Sequence, residues 1–510
     1  MDILSALMEG FGTSLLPLNI AVMIAGVLIG MFVGAMPGLG SVNGVAILMP
    51  LTFLVPPTSA IIFMAALYYG CMYGDAIASI LLGIPGASSA VATTFDGRPM
   101  AISGKAGVAL TAAATASFVG GTVSIVLFTV LAPILADAAL AFGPAEEFAL
   151  VLLAFTTFVT LGGQDKFKTV IAICLGLVLS TVGLDMISGQ PRMIFGDITG
   201  FFHGISFLVL AIGIYGIGEM LRTIETSRGS PTMITPRMTI GTVVETWREM
   251  KRSVGTLAQG SVLGFFIGTL PAAGATTASL MCYGVAKMAS KTPERFGKGE
   301  INGVVAPESA NNAASTGSFL PMLTLGIPGS PTTALLLGGM ILWGLQPGPL
   351  LFIEQPEFTW GLISSLYVSN VFAILANLAF IPLFCWALRM PFNAMAAVIF
   401  VLCVVGGYAT SNDMHDVWLM VLFGLVGFVL CKLDYPLAPM VLAMVLGPIM
   451  ENSLRQTLIA GQGTPSLIAE RPIAATLILI AAFLFALPAV KMILANRRAA
   501  ATPALAREEA

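Results

Sequence analysis

The sequence predicts an all-α polytopic membrane protein, an inverted repeat with two re-entrant helical hairpins, two broken transmembrane helices and about 11 full spans. Of its 510 residues, 57% are hydrophobic and 10% charged, against roughly a quarter charged in soluble domains. A Gly-x-x-x-Gly-x-x-Pro-x-x-Gly string at 30–40 recurs at 264–274, and Leu-Gly-Ile-Pro-Gly follows each copy, at 82–86 and 325–329. Lipid tolerates such helix breakers only where protein or a water-filled cavity satisfies the freed backbone groups.

Eleven stretches are predicted to cross the membrane, because 17 to 25 apolar residues of helix span a hydrocarbon core of about 30 Å. The segments around Pro37 (18–55) and Pro271 (253–288) are instead predicted as hairpins that enter and leave on one side. The predicted spans are 60–97 and 300–345, which contain Leu-Gly-Ile-Pro-Gly and are broken, with 106–134, 146–162, 168–186, 203–221, 358–387, 392–410, 417–431, 436–450 and 473–493.

The distribution of basic residues predicts the orientation. No Lys or Arg precedes Arg98, and 20 of the 23 basic residues fall in loops that this layout places inside, which indicates an outer N-terminus and an inner C-terminus. An odd number of spans separates the hairpins, so the second hairpin must be inverted. The predicted domains are a first membrane repeat at 1–222, a cytoplasmic linker at 223–252, a second repeat at 253–495 and a cytoplasmic tail at 496–510. The linker is either a solvated loop or an amphipathic helix on the membrane surface.

The hairpin tips and broken spans carry the candidate ligand site. Helix N-termini there would present backbone N–H groups and the positive end of the peptide dipole, which can hold a carboxylate without arginine. One such element would usually be a packing kink, but two matched pairs favour a binding site, as in transporters. The candidate substrate-binding residues are Pro37, Gly38, Gly40, Ser41, Asn43, Pro85, Gly86, Ser88, Ser89, Pro271, Gly274, Thr276, Thr277, Asn311, Asn312, Pro328, Gly329, Ser330 and Thr332.

Asp75 and Glu308 are the candidate cation-coupling residues, because an acid inside a membrane span is a functional hypothesis by default. Glu308 could equally lie at the inner mouth of its span. Asp96-Gly97-Arg98-Pro99 is predicted as a turn at the inner surface. Glu451 and Arg455 are spaced as an i,i+4 pair, which is either structural or a contact for an external partner.

The sequence offers little for metals or for other cofactors. Its six cysteines stand singly in apolar segments, which predicts neither a zinc site nor disulfides. Asp413-x-His415-Asp416 is predicted as a solvated loop in preference to a metal site. We therefore expect no cofactor and no metal beyond a sodium ion, and no nucleic-acid partner.

The two repeated strings, together with Pro307-Glu308-Ser309-Ala310-Asn311-Asn312-Ala313-Ala314, resemble the large membrane subunit of the tripartite tricarboxylate transporters, the TctA family. The resemblance covers about 15–495. It implies a bacterial inner-membrane permease that works with a small four-helix membrane subunit and a periplasmic solute-binding protein. Such a permease imports citrate-like or other organic acid anions on a sodium or proton gradient. Asp75 stands where the resemblance implies a stretch rich in Gly, Ser and Thr, which leaves open an altered cation or substrate preference. The sequence also leaves open whether the protein forms a homo-oligomer.

Two other classes of function are disfavoured. A passive anion channel would need a continuous polar stripe or ring through the spans, whereas the polar residues gather at the breaks. A membrane-embedded enzyme would need a nucleophile and base, or metal ligands, at one depth, and neither of the two histidines lies in a span core. The sequence therefore predicts a carrier and not an enzyme.

Overall fold

The computed structural model describes residues 2–161, 165–185, 187–195, 199–226, 233–236, 238–390 and 392–486. Most of these residues are helical and very few form strands, which confirms the all-α prediction. The strands among them are β1 (Gly183–Leu184) and β2 (Pro191–Arg192), which pair antiparallel.

The first half of the chain contains helices joined by short turns. They are α1 (Ile3–Ser14), α2 (Pro17–Ala35), α3 (Gly40–Leu48) with a 3₁₀ turn at Met49–Leu54, α4 (Pro57–Leu81), a 3₁₀ turn at Ser88–Ala90, α5 (Val91–Met100), a π-turn at Ala101–Lys105, α6 (Ala106–Ala139), α7 (Pro144–Leu161), α8 (Lys166–Ser180), a 3₁₀ turn at Thr199–His203, α9 (Phe207–Ala211), a π-turn at Ile212–Gly218 and α10 (Glu219–Thr226).

The second half also consists of helices joined by short turns. Its elements are α11 (Ile240–Met250), a 3₁₀ turn at Lys251–Ser253, α12 (Val254–Thr269), α13 (Gly274–Ala289), a 3₁₀ turn at Pro293–Arg295, α14 (Asn302–Gly317), α15 (Phe319–Leu325), α16 (Pro331–Leu342), α17 (Leu351–Glu354), α18 (Pro356–Ala379), α19 (Ile381–Ala387), α20 (Phe392–Ser411), α21 (Met414–Lys432), α22 (Leu437–Ala460), α23 (Ser466–Glu470) and α24 (Pro472–Ala486).

Several of these helices have the length and hydropathy of membrane spans. Within the described residues seven reach that length, at Pro17–Ala35, Pro57–Leu81, Ser88–Ala139, Phe207–Glu225, Pro356–Ala379, Met414–Lys432 and Leu437–Ala460. Shorter apolar helices lie at Gly40–Leu54, Pro331–Leu342, Met395–Ser411 and Pro472–Ala486. The chain is therefore a multi-pass membrane protein, while the number of crossings stays a prediction. The predicted span at 168–186 is helical only to Ser180 and ends in β1, and residues 487–493 of the predicted span at 473–493 lie outside the described residues.

Both predicted hairpins consist of two helices joined by a left-handed turn. Between α2 and α3, Gly38 has φ 88° and Gly40 has φ 62°. Between α12 and α13, Ala272 has φ 68° and Gly274 has φ 57°. Positive φ is easy for glycine and unfavourable for other residues, so Ala272 adopts at the second tip a conformation that Gly38 adopts without strain at the first.

Glycines bring the first helix of each hairpin into backbone contact with the broken span beside it. A Cβ on Gly34 of α2 would overlap the backbone of Cys71 in α4, and a Cβ on Gly268 of α12 would overlap the backbone of Ala314 in α14. Small residues at four-residue spacing allow this approach between membrane helices. The Gly-x-x-x-Gly part of each string is thus a packing surface.

Both predicted breaks interrupt their helices at matched residues. α4 ends at Leu81 and α15 ends at Leu325, and each is followed by a glycine with positive φ, Gly83 at 74° and Gly326 at 69°. A left-handed glycine is the common way for a helix to end. The two copies of Leu-Gly-Ile-Pro-Gly therefore interrupt the chain with the same local backbone conformation.

Part of the linker is a helix, so the structure is closer to the amphipathic-helix alternative than to the solvated loop, while a position on the membrane surface stays a prediction. α11 packs on α6, where Trp247 Nε1 donates to Thr115 Oγ1 at 2.9 Å and Met250 packs with Ala112 and Ala116. Residues 227–232 and 237 of the linker lie outside the described part of the chain. The prediction of a purely solvated loop is therefore wrong for residues 240–250.

Candidate functional site

Each hairpin tip contacts the break of the other half of the chain. Ser41 Oγ, at the first tip, lies 2.9 Å from Thr332 Oγ1 at the start of α16. Ser88 Oγ, in the first break, lies 2.8 Å from Thr276 Oγ1 at the start of α13. Two hydroxyl pairs with the same pattern thus join interruptions that are far apart in sequence.

Each tip also packs on the break of its own half. A Cβ on Gly40 would lie 3.4 Å from Ala87 Cβ, and a Cβ on Gly274 would lie 3.7 Å from Ser330 Cβ. Combined with the hydroxyl pairs, these contacts bring all four interruptions into one cluster. We call this cluster, made of residues 37–43, 83–89, 271–277 and 326–332, the four-break cluster.

The helix starts of the four-break cluster differ in their capping. At α16, Ser330 Oγ accepts from the Thr333 N–H at 3.2 Å and Thr333 Oγ1 accepts from the Ser330 N–H at 3.0 Å, a complete capping box. At α3, α13 and the Ser88–Ala90 turn no side chain caps the first amides. Uncapped N–H groups at a helix start are suited to an anion.

The predicted substrate-binding residues differ in their exposure to solvent. Gly38 and Ser88 are exposed. The half-buried residues are Pro37, Gly40, Pro85, Pro271, Thr276 and Thr277, and the buried residues are Ser41, Asn43, Gly86, Ser89, Gly274, Pro328, Gly329, Ser330 and Thr332. Asn43 has a structural task as well, because its Nδ2 donates to the Gly38 carbonyl at 3.1 Å and closes the tip.

Asn311 and Asn312 are not joined to the tips by hydrogen bonds. Asn312 Nδ2 donates to the Glu308 carbonyl at 3.1 Å and to Asn311 Oδ1 at 2.8 Å, all within α14. Both side chains are completely buried, and Asn311 Nδ2 and Asn312 Oδ1 have no partner. A buried polar atom without a partner costs about 1–3 kcal/mol, so these atoms are candidates for a ligand or a water molecule.

Asp75 lies beside the first break. It is completely buried in α4, and its Oδ2 accepts from Ser89 Oγ at 2.7 Å while its Oδ1 has no partner. Gly86 packs directly on Asp75. The structure thus connects this predicted cation-coupling residue to the four-break cluster through Ser89.

Glu308 is also completely buried, so it does not lie at an exposed mouth of its span. Its Oε1 accepts from Thr93 Oγ1 of α5, and its Oε2 accepts from Ser117 Oγ of α6 at 3.1 Å. The carboxyl group therefore connects α14, in the second half, with two helices of the first half.

The predicted turn at Asp96 is wrong, because Asp96 is a buried residue inside α5. Its carboxylate accepts from Tyr283 OH at 2.9 Å and from the N–H groups of Gly297, Gly299 and Glu300 at 2.8–2.9 Å. These donors satisfy the buried charge and let the helix continue to Met100. The spaced glycines of the 297–300 loop were the available signal for this contact.

The hydrogen bonds that the tyrosines of α4 and Asn370 of α18 make with neighbouring helices were not predicted from the sequence. Tyr73 OH donates to Asn370 Oδ1 at 2.7 Å, and Asn370 Nδ2 donates to the Phe118 carbonyl at 3.0 Å. Tyr69 OH pairs with Thr316 Oγ1. Three tyrosines within one apolar helix were a signal that α4 is enclosed by protein and not by lipid.

Glu451 and Arg455 belong to an internal network of ion pairs. Arg455 pairs with Asp185 at 2.8 Å and with Glu451 at 2.7 Å, and Arg192 pairs with Glu451 at 2.7 Å. The Ser188 backbone N–H and the Arg455 guanidinium hold the pKa of the Asp185 carboxyl well below its usual range. The network fixes the β1–β2 hairpin to α22, which supports the structural alternative for this pair.

Two apolar grooves lie beside α2, and the larger of them is lined in part by Leu39 of the four-break cluster. One, of about 270 Å³, is lined by α2 and α19, with Phe32 and Trp386 in its wall. The other, of about 370 Å³, lies between α2, α3 and α20.

Asp413 caps α21, because its side chain accepts from the backbone N–H of His415. Within the described chain, no group of three or more His, Cys, Asp or Glu is placed to hold a metal ion.

The helix lengths and apolar composition define a multi-pass α-helical membrane protein whose helix interruptions meet in one polar cluster. The chain belongs to the tripartite tricarboxylate transporter TctA family, whose model matches residues 20–442. Membership in a transporter family points away from an enzyme.

Two relatives come from Agrobacterium vitis. An uncharacterized 52.8 kDa protein in the TAR-I ttuC' 3'region is 38% identical over 480 residues, which cover 94% of this chain and 95% of the relative. An uncharacterized protein in the TAR-II ttuC' 3'region is 39% identical over 231 residues, which cover 45% of this chain and 96% of the relative. No solved structure matches the chain.

Proposed function

We propose that this chain is the transport subunit of a secondary active carrier that imports organic acid anions, tri- or dicarboxylates such as citrate, across the bacterial inner membrane. A sodium or proton gradient drives uptake. A periplasmic solute-binding protein delivers the anion, and a small four-helix membrane subunit completes the assembly. Family membership supports the class of function, and the four-break cluster supports the location of the site.

The observation that carries the proposal is the double contact between tips and breaks. Ser41 with Thr332 and Ser88 with Thr276 place four hydroxyls where four helix interruptions meet. Hydroxyl groups can donate to carboxylate oxygens, and the uncapped amides of α3 and α13 lie at the same tips. A polycarboxylate could therefore be held by neutral donors at several points, with helix dipoles favouring its charge.

The two halves form an inverted repeat in this proposal. Matched glycines end the helices at 83 and 326, and matched tips turn at 38–40 and 272–274. Related halves that face opposite sides of the membrane can alternate the access of a site between them. The N-terminus is then periplasmic and the C-terminus cytoplasmic, as the basic residues indicate.

Uptake of labelled citrate or tartrate into membrane vesicles that contain this chain and its partner subunits tests the proposal. Saturable uptake that depends on an imposed sodium or proton gradient supports a carrier. Flux that does not saturate and needs no gradient would favour a passive anion channel. No uptake of any organic acid under either gradient would contradict the proposal.

Substitutions at the tips refine the experiment. Gly40→Val and Gly274→Val each place a β-branched side chain at positive φ, so uptake should be lost. Gly284→Val is the matched control, because Gly284 lies in α13 with nothing within 4 Å of its added Cβ. The control should reach the membrane and retain uptake.

A further inference from the structure

We propose that Tyr68 of α4 is a further substrate-binding residue, whose phenol hydroxyl donates a hydrogen bond to a carboxylate of the transported anion. The inference rests on the proposed function, because it adds one donor to the site proposed at the four-break cluster. The added side chain comes from the middle of α4, and its donor is a phenol in a site otherwise built from aliphatic hydroxyls, amides and backbone N–H groups.

Tyr68 contacts the second break, although it belongs to the first half of the chain. Its hydroxyl lies 3.3 Å from Ser330 Oγ. Ser330 stands two residues before Thr332, the partner of Ser41 at the first tip. Tyr68 is also the twelfth of the 25 residues of α4, so it lies halfway along a helix that is long enough to cross the membrane. Carriers with broken helices bind their substrate near this depth.

The ring of Tyr68 is held in place by the surrounding protein. Tyr68 is 2% exposed, and its ring centroid lies 6.0 Å from that of Phe319 in α15. Phe319 is itself completely buried. A side chain that is already fixed loses little further freedom when a ligand binds, which lowers the cost of binding.

The hydrogen bond of the Tyr68 hydroxyl is long. Ser330 Oγ already accepts from the Thr333 N–H at 3.2 Å, and it lies 3.0 Å from Thr333 Oγ1 and 3.4 Å from Ser318 Oγ. A hydroxyl oxygen accepts two hydrogen bonds and donates one, so Tyr68 competes with three other groups for these positions. The 3.3 Å separation exceeds that of ordinary O–H···O bonds, which measure about 2.5–3.0 Å. A carboxylate oxygen is a stronger acceptor than a hydroxyl and would hold this proton at about 2.5–2.7 Å.

Two other tyrosines of α4 have firm partners instead. Tyr73 OH donates to Asn370 Oδ1 at 2.7 Å, and Tyr69 OH pairs with Thr316 Oγ1. These hydroxyls join α4 to α18 and α14, so their role is structural. Tyr68 differs from both, because its hydrogen bond is long and its neighbour is a residue of the four-break cluster.

The residue that matches Tyr68 in the second half is a predicted substrate-binding residue. The hairpin glycines pack in the same way on Cys71 of α4 and on Ala314 of α14. Tyr68 and Asn311 each lie three residues before that contact. Asn311 Nδ2 is buried and has no hydrogen-bond partner. Each broken span thus carries, at the same point, a neutral donor that lacks a strong acceptor.

Neutral donors are what an anion needs here, because the four-break cluster contains no Lys or Arg. Carboxylate oxygens accept from hydroxyl and amide groups. Tyr68 and Asn311 supply one such donor from each half of the chain. This arrangement suits an anion with two or more carboxylates.

The test compares two tyrosines of one helix. Tyr68→Phe removes the hydroxyl and keeps the ring, and Tyr73→Phe is the matched control. Uptake of labelled citrate or tartrate, whichever the original chain takes up, is measured in vesicles that contain the chain and its partner subunits. Tyr68→Phe should raise the KM about ten- to a hundredfold, the effect of losing a hydrogen bond to a charged group, while the maximal rate changes less. Tyr73→Phe should leave the KM unchanged.

Protection against thermal unfolding measures binding without transport. In the purified complex the same acid should raise the temperature at which this chain unfolds, and Tyr68→Phe should need about ten- to a hundredfold more of it for equal protection. Without the acid the order reverses. Tyr68→Phe should then unfold close to the original temperature, whereas Tyr73→Phe should unfold earlier, because Asn370 Oδ1 loses its donor.

An unchanged KM in Tyr68→Phe, while the original chain transports, would overturn this inference and leave the proposed function intact. Equal rises in KM for Tyr68→Phe and Tyr73→Phe would do the same. So would a Tyr68→Phe chain that fails to fold, or that unfolds as early as Tyr73→Phe without the acid, because the hydroxyl would then serve the fold. Absence of any uptake by the original chain under either gradient would overturn the proposed function and this inference with it.

Discussion

Asp75 and Ser318 occupy matched positions in the two halves of the chain. Gly86 of the first break packs on Asp75, and its own Cβ would overlap the Gly34 carbonyl, while Gly329 packs on Ser318 and against the Gly268 carbonyl in the same way. The backbone arrangement is therefore the same at the two positions, but the side chains differ. One half carries a carboxyl group where the other carries a hydroxyl group.

This difference predicts that a second acid is not tolerated. Ser318→Asp removes the hydroxyl that donates to the Ser315 carbonyl at 2.7 Å and buries a charge next to Ser330. We expect a loss of stability of at least about 1–3 kcal/mol, measured by thermal unfolding in detergent. Ser5→Asp, at an exposed residue of α1, should leave the unfolding temperature unchanged.

The cross-half hydroxyl pair predicts an effect on substrate affinity. Ser41→Ala and Thr332→Val should each raise the KM for uptake, because the proposed site loses a donor, while stability falls by only about 0.5–1.5 kcal/mol. Thr464→Val breaks a comparable exposed pair, Thr464 with Ser466 at 3.0 Å, and should leave KM unaltered. An unchanged KM in both site variants would remove these hydroxyls from the site.

We predict that the stability of the protein depends strongly on the glycines at close helix contacts. Gly268→Ala forces α12 away from the backbone of Ala314 and should destabilise the protein by about 1–3 kcal/mol. Gly255→Ala lies in the same helix with nothing within 4 Å and should be neutral or stabilising, since alanine is the better helix former. Thermal unfolding of the two variants side by side makes the comparison, and equal losses would contradict the packing argument.

We predict that the Asp96 carboxylate keeps the loop at 297–300 in place. Asp96→Ala leaves three backbone N–H groups and the Tyr283 hydroxyl without their acceptor, so the loop should open more often. Trypsin should then cleave faster at Lys298 in the loop and at Lys291 and Arg295 just before it. Glu294→Ala, an exposed change in the same segment, should not alter cleavage.

The lowered pKa of Asp185 predicts a stability difference that depends on pH. A carboxyl whose folded pKa is depressed stabilises the protein above its unfolded pKa of about 4, and this contribution is lost as pH falls towards the lowered value. Asp185→Asn should therefore unfold at a lower temperature than the original chain at neutral pH. The two unfolding temperatures should converge below about pH 4, and a constant difference would contradict the assignment.

The sequence was sufficient for features that depend on local backbone chemistry. Glycine and proline at 37–40, 83–86, 271–274 and 326–329 specify where helices end, and the structure confirms helix interruptions at all four. Apolar composition was enough to predict the helical membrane class.

Features that depend on distant residues could not be predicted. Ser41 and Thr332 are 291 positions apart, and nothing in either segment specifies the other as its partner. Asp96 was assigned to a turn because Asp-Gly and Arg-Pro are local turn signals, and the donors that keep it in a helix come from about 200 residues further on. Tertiary hydrogen bonds overrode the local preference there.

Crosslinking tests the central claim, a shared substrate site at the four-break cluster, most directly. In a variant with its native cysteines replaced, Ser41→Cys with Thr332→Cys should form a disulfide on oxidation, since the native hydroxyls are 2.9 Å apart. Citrate should slow the reaction, and uptake should stop until the disulfide is reduced, while each single variant stays active. A pair that does not crosslink, or that crosslinks at the same rate with citrate and continues to transport, would contradict the account.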